Sequence, residues 1–195
     1  MDEARCILKH CKWAFVYLML FFCLWLCAFL LISCHSNKSE AELIVKKWKG
    51  KEIVIPDDRS FVYTILGNDT ILGYNLWDKP HKILTYIDSI GCSICQLEVP
   101  LWTALMDSCK LLQIDVSFIF VIHSSDFGNL SYNLRFLQFD HPLIYDYQNS
   151  FDKINHFPPP PYRSFLLDKD NKVQLVGLPI YPEIWELYKK VLQQG

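Results

Sequence analysis

Two apolar runs in the middle of the chain are the most regular feature of its hydrophobic pattern. Lys82–Ile87 and Val116–Ile122 are nearly continuous apolar segments, which predicts strands buried on both faces, as in a parallel sheet. Between them, apolar residues recur at every fourth position: Leu97, Leu101, Leu105 and Cys109. This period predicts a helix, so the segment forms a strand–helix–strand unit with a right-handed crossover.

The flanking segments predict further short elements. In chain order they are a strand at 52–55, a hairpin of 61–66 and 70–74 around a 67–69 turn, a helix at 125–139, a strand at 142–145, a short helix at 149–156, a hairpin of 164–168 and 172–177, and a closing helix from residue 182. Asn171 suits a left-handed position in the second hairpin turn. Pro158–Pro161 cannot be helical, and we expect a stiff crossing loop there rather than a ligand for a proline-binding module.

The turn between the first buried strand and its helix carries the candidate chemistry. Cys92-Ser93-Ile94-Cys95 places Cys92 at or just before the first helical turn. Partial positive charge and free backbone N–H groups stabilise a thiolate there. Cys95 follows one turn later, and we expect it to be more buried. This is the arrangement of an attacking thiol and a resolving thiol.

Two other interpretations of the cysteine pair remain open. A zinc site needs four ligands, the sequence has no second C-x-x-C, and Cys109 would lie roughly 21 Å along the predicted helix from Cys95. A minor variant adds His123, which ends the second buried strand. A structural disulfide is the other possibility, although so small a ring stabilises by only about 2 kcal/mol. We predict redox chemistry, no metal site and no soluble cofactor, with Cys109 as a buried apolar thiol.

An apolar leader precedes the folded region. Basic residues at its start (Arg5, Lys9 and Lys12) are followed by the uncharged run Trp13–Ile32 and then Leu31–Cys34. This resembles a bacterial lipoprotein signal peptide with its lipobox. The resemblance implies that residues 1–33 are removed, that Cys34 carries the lipid, and that 34–44 is a tether. An uncleaved transmembrane helix is the alternative.

Composition limits the compartments in which the folded domain can lie and the classes of partner that it can bind. The chain has 195 residues, which leaves room for one domain after the leader. Its formal net charge is −2, and it has no basic patch, so nucleic acid is excluded as a partner. Four of its eight cysteines lie in the leader: Cys6, Cys11, Cys23 and Cys27. Either reading of the leader places the folded domain outside the cytoplasm, where a C-x-x-C meets oxidising conditions.

The element order, with C-x-x-C at the first crossover helix, resembles the thioredoxin superfamily. The closest pattern is that of TlpA/ResA-like envelope thiol–disulfide oxidoreductases, which have a glutamate and a proline where Glu98 and Pro100 follow here. Their late hairpin is similar to residues 164–172. The resemblance implies an α/β, three-layer thioredoxin-like fold for residues 45–195, with a central mixed β-sheet flanked by helices and an N-terminal β-hairpin extension.

The same resemblance implies roles for individual residues. Cys92 is the nucleophile, Cys95 the resolving thiol, and Glu98 either tunes the thiol pKa values or is an ordinary solvated acid. Pro100 would bend the active helix. The implied protein is a membrane-anchored oxidoreductase facing the periplasm, with the lipid on Cys34 holding it to the membrane. Its partners would be cysteine-containing envelope proteins and a membrane partner that supplies electrons or oxidant. The alternative is a non-catalytic, partner-binding lipoprotein whose cysteine pair is a structural disulfide.

The sequence departs from the family pattern at several positions, among them the Ser93-Ile94 dipeptide, which is not the usual proline-bearing pair. Gly91 stands where a tryptophan usually precedes the first cysteine, and Tyr86 stands where some thioredoxins keep a buried acid. The family's cis-proline faces the C-x-x-C and contacts substrate. Counting back from Asp168 places Tyr162 at that position. Either Pro161 serves as the cis-proline or the feature is absent, and absence is the expectation.

Overall fold

The computed structural model describes Met19, Phe21, Phe22, Trp25 and residues 40–193. The predicted signal peptide, apart from those four positions, and the predicted lipidation site Cys34 lie outside the described residues. Among the described residues, no helix is long and apolar enough to span a lipid bilayer. The chain divides into two compact units, Met1–Ile44 and Val45–Gly195, and the second contains the sheet and the candidate site.

A mixed β-sheet forms the centre of the second unit. Its seven described strands are β1 (Val62–Ile65), β2 (Asn68–Asp69), β3 (Lys82–Ile87), β4 (Ser117–Ile122), β5 (Leu143–Tyr145), β6 (Ser164–Leu167) and β7 (Val173–Val176). They lie in the order β2-β1-β5-β4-β3-β6-β7. Strands β3, β4 and β5 are parallel, whereas β1, β6 and β7 pair antiparallel with their neighbours. The predicted strand–helix–strand unit and mixed sheet are confirmed.

Helices cover both faces of this sheet. They are α2 (Ser93–Leu97), α3 (Val99–Leu111), α4 (Phe127–Phe136), α5 (Ser150–Asn155) and α6 (Pro182–Leu192). A further helix, α1 (residues 40–48), crosses the boundary between the two units. On one face Trp102 of α3, Leu134 of α4 and Tyr188 of α6 share a core with Ile83 and Phe120 of the sheet. This arrangement confirms the predicted three-layer fold. Helix α1 was not predicted, and it includes the end of the predicted tether.

Aromatic rings dominate the opposite face. The Trp48 ring lies 5.0 Å from the Phe165 ring and 5.9 Å from the Phe157 ring, measured between centroids. Tyr86 of β3 stacks on Phe157 at 4.6 Å. Aromatic pairs at such distances contribute about 0.5–1.5 kcal/mol beyond their buried area. Because Phe157 directly precedes the four prolines, this cluster fixes the start of that loop against β3 and β6.

A lysine lies in the core at the other end of β3. Lys82 is fully buried, and its Nζ donates to the carbonyl oxygens of Trp77, Lys79 and Lys169, each at 3.2 Å. Burial lowers the pKa of this ammonium, while the Asp168 carboxylate opposes the shift. The three bonds join the segment before β3 to the turn between β6 and β7.

The first hairpin differs from its prediction. Its turn is Leu66-Gly67, with φ of 51° and 72°, and Asn68 and Asp69 pair with β1 instead of forming the turn. A two-residue turn with positive φ at both residues matches the right-handed twist of the two hairpin strands. The predicted turn at 67–69 starts one residue late and ends two residues late, because Asn and Asp are themselves common turn residues.

Two other strand predictions also change. The second half of the predicted hairpin, residues 70–74, is not a strand. The predicted strand at 52–55 is reduced to a single bridge between Glu52 and Lys172. In contrast, Asn171 adopts the predicted left-handed conformation, with φ of 59°.

Candidate active site

The helix that follows the C-x-x-C is broken in two. Glu98 adopts φ 44° and ψ 48°, which ends α2, and α3 begins at Val99. Pro100 therefore lies in the first turn of α3, where a missing N–H removes no helical hydrogen bond. The prediction of one helix bent by Pro100 is wrong, because this proline starts a new helix.

Cys92 and Cys95 form a disulfide at the start of α2. Cys92 is the N-cap residue, and its Sγ accepts a hydrogen bond from the Cys95 backbone N–H at 3.3 Å. Both cysteines are exposed, so the prediction that Cys95 is more buried is wrong. The five-residue helix buries the side that carries Ser93 and Leu97, and Cys95 lies midway between them on the other side.

The loop that leads into Cys92 is held by local hydrogen bonds. Asp88 Oδ1 accepts from the Ile90 N–H at 2.9 Å, and the Gln96 side-chain amide donates to the Ile90 carbonyl. Gly91 has φ of 82°, which side-chain-bearing residues rarely adopt. A tryptophan at this position would be strained in this backbone conformation.

The four prolines form the other side of the site. The Pro160–Pro161 peptide bond is cis, so Pro161 is a cis-proline. The expectation that a cis-proline is absent is therefore wrong. Pro160 and Pro161 line a cavity of about 390 Å³ together with Cys95 and Glu98. Contact between Pro161 and a substrate remains a prediction.

A buried ion pair connects the two loops. Arg163 Nη1 donates to Asp88 Oδ2, and only 15% of the arginine side chain and 10% of the aspartate side chain are exposed. Arg163 Nε also donates to the Pro158 carbonyl at 2.7 Å, and its guanidinium lies 5.5 Å from the Tyr86 ring centroid. Sequence reasoning missed this pair. The sequence does offer a signal, because the acidic Asp88 directly follows β3 and the basic Arg163 directly precedes β6. These two strands are neighbours in the sheet.

Glu98 faces the same cavity as Cys95. Its Oε2 atom is buried, and no hydrogen-bond partner for it exists among the described residues. The left-handed backbone at the helix break places this side chain on the cavity wall. A role in thiol chemistry remains a prediction.

A second, smaller cavity lies beside the other cysteine. It has a volume of about 230 Å³ and is lined by Cys92, Ser93, Ser124 and Asp126. The Ser93 hydroxyl donates to the Ser124 hydroxyl at 3.1 Å, and Asp126 caps α4 through the Asn129 N–H. The larger cavity thus lies beside Cys95 and the smaller one beside Cys92.

Three other candidate residues have partners outside the disulfide or none among the described residues, although Tyr86 lines the larger cavity beside Cys95. The Tyr86 hydroxyl donates to Asn149 Oδ1 at 2.6 Å, and burial raises its pKa, so it is no base at neutral pH. His123 Nδ1 lies 2.9 Å from the Asp146 carbonyl oxygen, and His123 lines neither cavity. Cys109 is a buried free thiol, as predicted, and burial raises its pKa to about 11.

Metal binding at the cysteine pair finds no further support. Across residues 40–193 and the described leader positions, no group of three His, Cys, Asp or Glu side chains is arranged to hold a metal ion. The arrangement is instead suited to thiol–disulfide exchange, because the disulfide is exposed and a backbone N–H already points at the Cys92 sulfur.

No family model matches the sequence, and no curated protein matches it. Solved structures do match the fold. The thioredoxin domain of a thiol–disulfide oxidoreductase from Bacteroides vulgatus aligns with 74% of this chain and 97% of its own, with a TM-score of 0.50 and 14% identity. The chain has a thioredoxin-like fold. A second Bacteroides vulgatus protein, provisionally named a thiol–disulfide oxidoreductase, has a TM-score of 0.52 and 17% identity over 72% of this chain and 91% of its own.

A third thioredoxin-like neighbour carries a similar name. It is a thiol:disulfide interchange protein from a Bacteroides species, with a TM-score of 0.50, 13% identity, and coverage of 74% of this chain and 90% of its own. At these identities, the matches establish the thioredoxin-like fold of this chain.

Proposed function

We propose that the chain is a thiol–disulfide oxidoreductase that acts through Cys92 and Cys95. The observation that carries the proposal is an exposed disulfide at the N-cap of a helix, with the Cys95 N–H directed at the Cys92 sulfur. Exposure makes the disulfide accessible to an attacking thiolate, and the N–H group stabilises negative charge on Cys92. The names of the structural neighbours support the same activity.

The reaction proceeds by two exchanges when the pair is reduced. The Cys92 thiolate attacks one sulfur of a substrate disulfide, a mixed disulfide forms, and the displaced substrate sulfur leaves as a thiolate that takes up a proton. The Cys95 thiolate then attacks Cys92 Sγ and displaces the second substrate thiolate. Two electrons pass to the substrate, and the Cys92–Cys95 disulfide is restored. In the reverse direction the disulfide accepts two electrons from a substrate dithiol.

Glu98 and Pro161 have supporting roles in this proposal. Glu98 lines the cavity that Cys95 lines, and its buried Oε2 has no hydrogen-bond partner among the described residues. It therefore accepts the Cys95 proton, directly or through water, as that thiol becomes the attacking thiolate. Pro161, on the wall of the same cavity, contacts the substrate beside the mixed disulfide.

We place the domain in the bacterial cell envelope, anchored to a membrane and facing the periplasm. The support is the basic start, apolar run and lipobox-like end of the leader. Lipid on Cys34 would anchor the chain, and its partners would be cysteine-containing envelope proteins and a membrane partner that supplies electrons or oxidant. Incorporation of a labelled fatty acid, lost in Cys34→Ala, tests this anchor.

The decisive measurement is the reduction potential of the pair together with the pKa of each thiol. We expect Cys92 to titrate well below about 8.5 and the disulfide to exchange with glutathione within minutes. Cys92→Ser and Cys95→Ser are the controls that assign each titration. A disulfide inert to exchange, with a potential below about −300 mV, would contradict the proposal and favour a non-catalytic, partner-binding lipoprotein.

A further inference from the structure

The two loops that flank the disulfide are joined by one buried ion pair. Asp88 lies in the loop from β3 to Cys92, and Arg163 lies between Pro161 and β6. Among the ion pairs in the described part of the chain, it alone has both side chains largely buried. The pair between Lys79 and Asp115, for comparison, has side chains 52% and 63% exposed.

Each partner of this ion pair also holds its own loop. Asp88 uses Oδ1 for the Ile90 N–H and Oδ2 for Arg163. Arg163 uses Nη1 for Asp88 and Nε for the Pro158 carbonyl. A guanidinium presents several donors in a rigid plane, so a single side chain can bridge a carboxylate and a carbonyl. The distance between the two loops therefore depends on this bridge.

We propose that Asp88 and Arg163 are positioning residues that fix the proline loop relative to Cys92 and Cys95 for the docking of protein disulfides. The proposal rests on the oxidoreductase function proposed above. Arg163, Pro160, Pro161 and Cys95 line one cavity, so a shift of the arginine moves the wall that a docked substrate meets. Neither residue takes part in the sulfur chemistry.

Substrate size separates this role from a purely structural one. A small dithiol needs only the exposed disulfide, whereas a protein disulfide must contact both the cysteine pair and the proline loop. Loss of the bridge should therefore slow exchange with proteins and spare exchange with small reagents. Misplacement by about 1 Å can cost ~100-fold in rate, so a loss of about tenfold or more is expected.

The test uses the full chain in non-ionic detergent, with two variants at the bridge. Asp88→Asn/Arg163→Gln removes both charges together, and Arg163→Lys keeps the charge but loses the planar group that reaches both Asp88 and Pro158. Lys79→Gln, at the exposed ion pair, is the matched control. Two rates are measured: reduction of the chain's disulfide by dithiothreitol, and reduction of insulin by the reduced chain.

We expect both bridge variants to reduce insulin at least about tenfold more slowly than wild type, with the dithiothreitol rate within about twofold and the control unchanged. A wild-type insulin rate in either folded bridge variant would overturn the inference. If the double variant does not fold, Arg163→Lys decides alone. A wild-type chain whose disulfide exchanges neither with glutathione nor with insulin contradicts the proposed function itself, which is a different outcome.

Discussion

Replacement of Lys82 by methionine should destabilise the domain by about 2–4 kcal/mol. Methionine keeps the length of the side chain but removes the ammonium that donates to three carbonyl oxygens. Hydrogen bonds to charged groups contribute about 1.5–3 kcal/mol each, and relief of the ammonium's desolvation offsets part of that loss. The carbonyls of Lys79 and Lys169 lie near solvent and can recover water, whereas the buried carbonyl of Trp77 stays without a donor.

Urea unfolding, followed by circular dichroism, measures this loss. We expect a lower midpoint at an unchanged m-value, because the denatured chain exposes the same surface. Lys79→Met is the matched control, since its exposed ion pair should contribute less than about 1 kcal/mol. A loss below about 1 kcal/mol in Lys82→Met would refute the view that the ammonium organises these three segments.

Three other substitutions test separate parts of the structure. Gly67→Ala should lower the free energy of unfolding by about 3 kcal/mol or more, because φ at this position is 72° and the new Cβ would lie 2.3 Å from Ser131 Cβ. Thermal unfolding measures this loss, and a loss below about 1 kcal/mol would contradict the prediction. Glu98→Gln should slow resolution of the mixed disulfide with a labelled peptide at least about tenfold at pH 7, and an unchanged rate would make Glu98 an ordinary surface acid. The Cys109 thiol ionises near pH 9.0 when unfolded and near 11 when folded, so its contribution to stability is complete below pH 9.0 and is lost as pH rises through about 11. Cys109→Ala should therefore reduce the fall of stability across this range by about 1–3 kcal/mol in urea titrations, and an unchanged fall would contradict the assignment.

Hydrophobic periodicity predicted the central elements because burial on both faces leaves a clear pattern. Strands β3 and β4 are buried along their whole length, and their apolar runs predicted them. The first hairpin was harder, because backbone conformation at Leu66 and Gly67 decides its register and Leu66 gives no turn signal. The break at Glu98 was missed for a similar reason, since glutamate rarely adopts a left-handed conformation.

The candidate site was predictable only in part. Local spacing indicated Cys92 and Cys95, because their chemistry depends on adjacent residues in one turn. The exposure of Cys95 depends on how α2 packs, and the bridge between Asp88 and Arg163 joins residues far apart in the chain, so neither follows from a local pattern. The cis peptide before Pro161 likewise depends on tertiary context.

The two sides of the site are synthesised at different times, because the residues that bridge them are far apart in the chain. Asp88 and Arg163 are 75 residues apart, and a ribosome adds that length in about 4–15 s. A growing chain therefore presents both cysteines before its proline loop exists. Contacts of such long sequence separation form slowly, so the cysteines can meet foreign thiols before β6 pairs with β3. The cysteine pair is therefore exposed to exchange before the loop that would position a substrate beside it has been synthesised.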